Sequence, residues 1–242
     1  MYTMKPLPAP VDAAMLSRLS KLETATIGHT HQYGFAAPRL QAIAPGRCVV
    51  GTAVTLALPA QDSTLLHHVA GLLRPGDFLV IDRLGDDRHA CFGGGVALAC
   101  RNTGFAGVAL DGPHTDTAEI LEHGFALWST GVSPITTRLY DIGGAFNIPV
   151  CCAGAAVLPG YAVLADDSGV LFIDPEDLDE VVSVAEGKRD RGAASEQRQR
   201  DGEKLGDITG ASDRVLARVQ ARVQARVQAR VPARVPARLG QG

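Results

Sequence analysis

Residues 93 to 119 read GGGVALACRNTGFAGVALDGPHTDTAE, and the fold turns on how this stretch divides. Gly93-Gly94-Gly95 offers backbone N–H groups with no side chains in the way, which suits an anion. Residues 96 to 102 have helical character. Residues 107 to 111, GVALD, form a short apolar run of the buried-strand type. Asp111-Gly112-Pro113-His114-Thr115-Asp116 then gathers polar and titratable groups at the end of that strand, where a second helix opens. In α/β sheets ligands sit at the C-terminal ends of the strands. The stretch therefore predicts an α/β fold with a site built from the glycine turn and the loop ending at Asp116.

The flanking sequence has the same character. Upstream, residues 11 to 23 show helical spacing through Met15, Leu19 and Leu22, after a proline-rich start expected to be loose. CVVGTAVTLAL, residues 48 to 58, is β-rich. Ser63 can cap a helix running to Leu73, and Pro75-Gly76 turns the chain into a buried strand, FLVID, at 78 to 82. A charged loop, RLGDDRH, leads to the glycines. Downstream, a strand is expected around 125 to 128, and apolar strands at 149 to 157 and 161 to 165. Asp166-Asp167-Ser168-Gly169 reads as a hairpin turn feeding 170 to 173, and a helix follows over 176 to 186.

The chain has 242 residues, 46% of them hydrophobic and 20% charged, enough for one globular domain over 1–187 and a tail over 188–242. Thirteen of the 23 Lys and Arg but only six of the 26 Asp and Glu lie from Lys188 onward, so a tail at +7 follows a body at −10. The tail ends in a four-residue repeat, RVQA and then RVPA. On a helix of 3.6 residues per turn its valines spiral and form no seam, and Pro232 and Pro236 stop any helix. The expectation is a disordered basic tail. It lacks aromatics for base stacking, so no nucleic-acid partner is expected. Five cysteines without framework spacing argue against a disulfide scaffold, and no Cys-x-x-Cys pair suggests zinc. Small buried thiols are expected, with Cys151 and Cys152 on opposite sheet faces. No apolar leader core or bilayer-length stretch is present, so the default is cytoplasmic, without membrane contact.

FGGGVALACRNTGFAGVALDGPHTD resembles the family that holds the regulator of ribonuclease E activity and the 4-hydroxy-4-methyl-2-oxoglutarate/4-carboxy-4-hydroxy-2-oxoadipate aldolases. Gly93, Gly104, Ala106, Gly107, Val108, Asp111, Gly112 and Asp116 fall on its pattern. So do Pro75-Gly76-Asp77, Val80 and Asp82, Gly131, Pro134, Pro149-Val150, Pro159-Gly160 and Ser168-Gly169-Val170. The likeness covers about residues 15 to 186. It implies an α/β/β sandwich related to swivelling phosphohistidine domains, assembled as a homotrimer or homohexamer. It also implies a lyase acting on a small oxo or hydroxy carboxylic acid through an enolate, with Mg²⁺ or Mn²⁺.

By the same resemblance, Asp116 is the metal ligand and Glu119 can hold a metal-bound water, while the N–H groups of Gly95 and Val96 take the substrate carboxylate. Two residues depart from the family's acid and Arg-Asp pair. Gly94 stands at the acidic position and Thr115 at the arginine, and His29 replaces a further acid. Arg101, His114, His89 or Arg138 can supply the missing cation. His114, beside Thr115 and Asp116, is the first choice as base, ligand or carboxylate donor. Two other readings stay open: a repurposed hydrolase or isomerase using His114 in this pocket, and a non-catalytic binder like the ribonuclease regulator. His67-His68 cannot both face one ligand, and Asp82 and Asp111, which end predicted strands, read either as structural turn residues or as groups supporting the site from behind.

Overall fold

The computed structural model describes residues 1–230, with side chains through residue 226, and divides into a unit Met1–Lys188 and a unit Arg189–Gly242. In chain order the elements are β1 (Tyr2–Met4), α1 (Ala13–Leu19), α2 (Thr24–Ile27), β2 (Gln41–Ala42), β3 (Val49–Ala57), α3 (Thr64–Val69), β4 (Asp77–Asp82), α4 (Gly94–Thr103) and β5 (Gly107–His114). There follow α5 (Thr117–Glu122), β6 (Leu127–Val132), β7 (Gly144–Phe146), β8 (Val150–Cys152), β9 (Ala155–Val157), β10 (Ala162–Asp166), β11 (Gly169–Ile173) and α6 (Leu178–Arg200). The last two described elements are α7 (Leu205–Ile208) and α8 (Ala211–Arg230).

Strands β3, β4, β5 and β6 pair in parallel, because each connection between them carries a helix across one face. Alternation along the strands sets the layers. Leu79 and Ile81 of β4 and Val108 and Leu110 of β5 pack with Leu66 and Val69 of α3, Ala97 and Cys100 of α4 and Ile120 of α5. The intervening Phe78, Val80 and Ala109 face the other way, onto Cys152 and Val157 of the β8–β9 hairpin and Val163 and Phe172 of the β10–β11 hairpin. Leu164 and Leu171, on the far side of that second hairpin, pack with Leu19, Ile27, Leu178 and Val182. Each fully buried side chain of this size contributes about 1.5–3 kcal/mol. The result is the α/β/β sandwich, with α1, α2 and the start of α6 as a further cover.

β3 is the trunk of the sheet. Beside β4 on one edge, it carries two antiparallel partners on the other, β10 along residues 49–52 and β7 along residues 56–57. Several expectations need correction. The 149–157 run is not one strand. Ala153 and Gly154, at φ 48° and 88°, turn it into the β8–β9 hairpin, which leaves Cys151 exposed and Cys152 buried. The N-terminal residues are not loose, since β1 pairs with β7 in parallel. Ser63 occupies the N-cap position of α3 without capping through its side chain. Asp62 caps instead, Oδ1 accepting the Thr64 N–H at 2.9 Å.

The tail also differs from its expected disorder. The described residues beyond 188 are largely helical, in the rest of α6, α7 and α8. Alanine, arginine and glutamine are strong helix formers, and that propensity carries the repeat as far as it is described. Val215, Val219 and Val223 are exposed, as spiralling valines without a seam must be. Pro232, Pro236 and the RVPA repeat lie outside the described residues. Among the described residues no helix is long and apolar enough to cross a membrane.

Candidate functional site

A cleft of about 460 Å³ opens at the C-terminal ends of β4 and β5. Its floor is Ala90, Cys91, Gly93 and the Thr115-Asp116 turn. Val96 and Ala99, one turn apart on α4, form one wall. Ser63, His67 and Ala70, at helical spacing on and beside α3, form the other, and residues 136–139 close the rim.

Pairing beyond the named strands fixes this arrangement. Phe92 bridges to His114, and the Thr115 N–H donates to the Phe92 carbonyl at 2.9 Å, which joins the glycine turn to the end of β5. Asp116 then adopts a left-handed conformation, φ 53° and ψ 42°. Its carboxylate does not cap α5. It turns back to accept the Gly94 N–H at 3.2 Å, with the Thr115 hydroxyl donating to Oδ1 at 3.2 Å. Two side-chain-free residues make room for two carboxylates. A Cβ on Gly93 would lie 2.5 Å from Asp116 Oδ2, and one on Gly94 would overlap Glu119 Oε2 and lie 2.7 Å from its Cβ. The Gly95 and Val96 N–H groups, in the first turn of α4, have no protein acceptor among the described residues.

His114 is placed differently from the expected site loop. β5 continues through a bulge after Leu110 as far as His114, so the imidazole points into the body and is 3% exposed. Nδ1 lies 2.7 Å from Ser129 Oγ and Nε2 2.8 Å from Thr117 Oγ1. Burial lowers its pKa, opposed by the Gly131 backbone and Asp116. Both nitrogens are committed, and His114 is not part of the cleft wall. Its contacts tie the start of α5, and hence the Asp116 turn, to β6. Asp82 and Asp111 hold the β8–β9 hairpin, accepting the Cys151 N–H at 3.1 Å and the Ala153 N–H at 2.7 Å. His89 pairs with Asp86, and Arg101 sits in the last turn of α4.

Behind the floor lies Arg83, fully buried. Its Nη2 donates to the Ala60 carbonyl and to Asp86, while Nε and Nη1 have no hydrogen-bond partner among the described residues. Gly112 leaves it space, since a Cβ there would lie 2.6 Å from Arg83 Cγ. Burial pushes the adjacent Cys91 thiol up to about 11 against the opposing pull of Arg83, so Cys91 faces the cleft as a neutral thiol.

The rim is pinned by Asp62. This buried carboxylate accepts the Thr64 N–H and hydroxyl, the Tyr140 N–H at 3.0 Å and the Ile142 N–H at 2.8 Å. Burial alone would raise its pKa, but these donors outweigh burial and hold it at about 2. Arg138 is clamped on both sides, its N–H to the Gln61 carbonyl at 2.9 Å and its carbonyl to the Ser63 N–H at 3.0 Å. Of the four cations weighed from sequence, Arg138 is the one that lines the cleft. Ser63 and His67 escaped the sequence reading as site residues. Their spacing of four, with Ala70 three further on, was the available signal.

The family model described as RraA-like, Aldolase/RraA, matches residues 19–172. A curated relative from Paraburkholderia phytofirmans, "Putative 4-hydroxy-4-methyl-2-oxoglutarate aldolase", is 32% identical across 61% of this chain and 93% of its own. One of the same name from Halalkalibacterium halodurans is 29% identical across 63% of this chain and 70% of its own. Among solved structures, RraAS2 of Streptomyces coelicolor, described as an unusual member of the RNase ES inhibitor RraA protein family, superposes with a TM-score of 0.70 at 26% identity. That match covers 80% of this chain and all of the other.

Proposed function

We propose, from the premise that this chain belongs to the RraA-like Aldolase/RraA family, that it is a lyase acting on a small oxo or hydroxy carboxylic acid. The observation that carries this is the cleft in which Asp116 stands beside the open N–H groups of Gly95 and Val96. The relatives' aldolase names agree with it.

The residues present fit a hard divalent cation. Asp116 and Glu119 bring two carboxylates to the Gly93-Gly94 cradle. Among the described residues no three His, Cys, Asp or Glu side chains converge. Mg²⁺ is bound through one or two carboxylates with waters completing its shell, and Mn²⁺ takes the same oxygen donors. Bound there, the cation supplies Lewis-acid polarisation of a 2-oxo group. The chain does the rest. The first turn of α4 directs two N–H groups and its dipole at the substrate carboxylate. Thr115 turns its one hydroxyl to Asp116, where an arginine would add a charged fork. Ala90, Cys91, Val96 and Ala99 keep water from the scissile bond. His67 is a wall group able to accept the proton released as a C–C bond breaks to an enolate. As in the family, the working unit is proposed to be a trimer or hexamer, in the cytoplasm.

The test is a screen of 2-oxo and 2-oxo-4-hydroxy acids with Mg²⁺ or Mn²⁺, read as pyruvate or CO₂ release. Activity lost on EDTA treatment and in Asp116→Asn is expected; full activity in Asp116→Asn overturns the reading. A second reading, a non-catalytic regulator, draws on Gly94 and Thr115 and on the similarity to RraAS2. Capture of an E-type ribonuclease by a chain inactive throughout the screen supports it.

A further inference from the structure

The cleft has a second pole. Opposite α4, the exposed guanidinium of Arg138 and the imidazole of His67 line the same space as Asp116. Arg138 Nη1 is held by its own strap, donating to the Thr136 carbonyl at 3.1 Å, Thr136 Oγ1 at 2.7 Å and the Thr137 carbonyl at 3.1 Å. These contacts orient the guanidinium and leave Nε and Nη2 without a protein partner among the described residues. No carboxylate pairs with Arg138 or His67 among the described residues. The backbones that carry the two side chains are also tied to each other. The Ser63 N–H donates to the Arg138 carbonyl at 3.0 Å, and the His67 N–H donates to the Ser63 carbonyl at 3.1 Å, one turn along α3. Asp62, at the root of the same helix, anchors the strap beyond Arg138 through Tyr140 and Ile142. Ala70, Ala90, Cys91, Val96 and Ala99 lie in the lining with the two poles and offer no charge.

We propose that Arg138, assisted by His67, forms a subsite for a second anionic group, the carboxylate at the end of the substrate remote from its 2-oxo head. This deepens the lyase reading and rests on it. The head is taken at the Gly95 and Val96 N–H groups beside Asp116, and the distal carboxylate by Arg138 Nε and Nη2, a planar fork matched to two oxygens. A cleft of about 460 Å³ has room for a dicarboxylic 2-oxo acid of five or six carbons. Arg138 is then a specificity-determining residue, and it reaches the substrate from the rim strap instead of from the turn before α5.

The test uses two matched ligands, 2-oxoglutarate and 2-oxopentanoate, which share the head and chain length and differ by a terminal carboxylate against a methyl. Binding to the full chain is measured by calorimetry with Mg²⁺ or Mn²⁺, so no turnover is required. The wild type should bind 2-oxoglutarate about 3- to 10-fold more tightly, the range of one charged, hydrogen-bonded contact at an exposed rim. Arg138→Gln should abolish that difference while leaving 2-oxopentanoate affinity unchanged, and His67→Gln should reduce it in part. Arg138→Lys should restore part of it by charge alone. A thermal melt matching the wild type certifies each variant as folded. Equal affinity of the wild type for both ligands overturns the subsite while leaving the 2-oxo head site standing. Equal weakening of both ligands in Arg138→Gln also overturns it and moves the guanidinium to the head. Failure of both ligands to bind the wild type refutes the oxo-acid reading, and this one with it.

Discussion

Asp116 holds a left-handed backbone at φ 53° and ψ 42°, and this separates what its backbone costs from what its carboxylate does. Consider Asp116→Ala beside Asp116→Gly. Each loses the 3.2 Å hydrogen bond from Gly94 and the negative charge at the start of α5, together worth about 1 kcal/mol at an exposed site. Alanine must also sit in the left-handed region without the local hydrogen bonding that helps Asp and Asn there, at a cost of roughly 1–2 kcal/mol. Glycine pays no such penalty and gives back part of the gain as unfolded-state entropy. The expected order is wild type near Asp116→Gly, with Asp116→Ala lower by about 1–2 kcal/mol. For a domain of this size that gap is roughly 2–8 °C in Tm. Both variants should lose turnover on any substrate the screen identifies, and Mg²⁺ should no longer raise their Tm. Melting curves with and without Mg²⁺ read both effects. Equal Tm for the two variants would refute the backbone argument. Retained turnover in Asp116→Gly would refute the carboxylate's role.

Three further outcomes are expected. Gly94→Ala should destabilise by about 0.5–2 kcal/mol in denaturant titration although alanine is the better helix former, because its Cβ would lie 2.7 Å from Glu119 Cβ and α5 must shift; a stabilised variant contradicts the packing. Asp62 has a folded pKa of about 2 against an ordinary 3.8, so its stabilising contribution is complete above pH 4 and is lost as pH falls from about 4 to about 2. Asp62→Asn should lower stability at neutral pH by about 1–3 kcal/mol and flatten that acid limb, with an unchanged limb as the contrary result. Deleting residues 190 to 242 should shift Tm of the body by under about 3 °C, since the buried side chains of α6 end at Ala185; a loss of ten degrees or more shows the tail packed.

Much of the fold was legible because β4 and β5 are covered on both faces and read as continuous apolar runs. The glycine turn and Asp116 were legible because Gly and a polar loop at a strand end carry their own signal. His114 was misplaced because Gly112 and Pro113 look like loop chemistry, while its partners Ser129 and Thr117 come from β6 and α5. The Arg138 pole was hidden for a related reason. It depends on pairing residues 61–63 with 138, some 75 positions apart, which no local pattern encodes. The β8–β9 turn was missed because Ala153 is not a residue expected at positive φ.

The doubly shared edge of β3 has a bearing on synthesis. Residues 49–52 leave the ribosome early, but their antiparallel partner spans 162–165, and the strand that covers residues 56–57 ends at Phe146. For more than a hundred residues of elongation that edge is an open template of N–H and C=O groups. A nascent chain stalled anywhere before Asp166 would present a sticky sheet margin, and the β10–β11 hairpin, formed locally and late, is the piece that seals it.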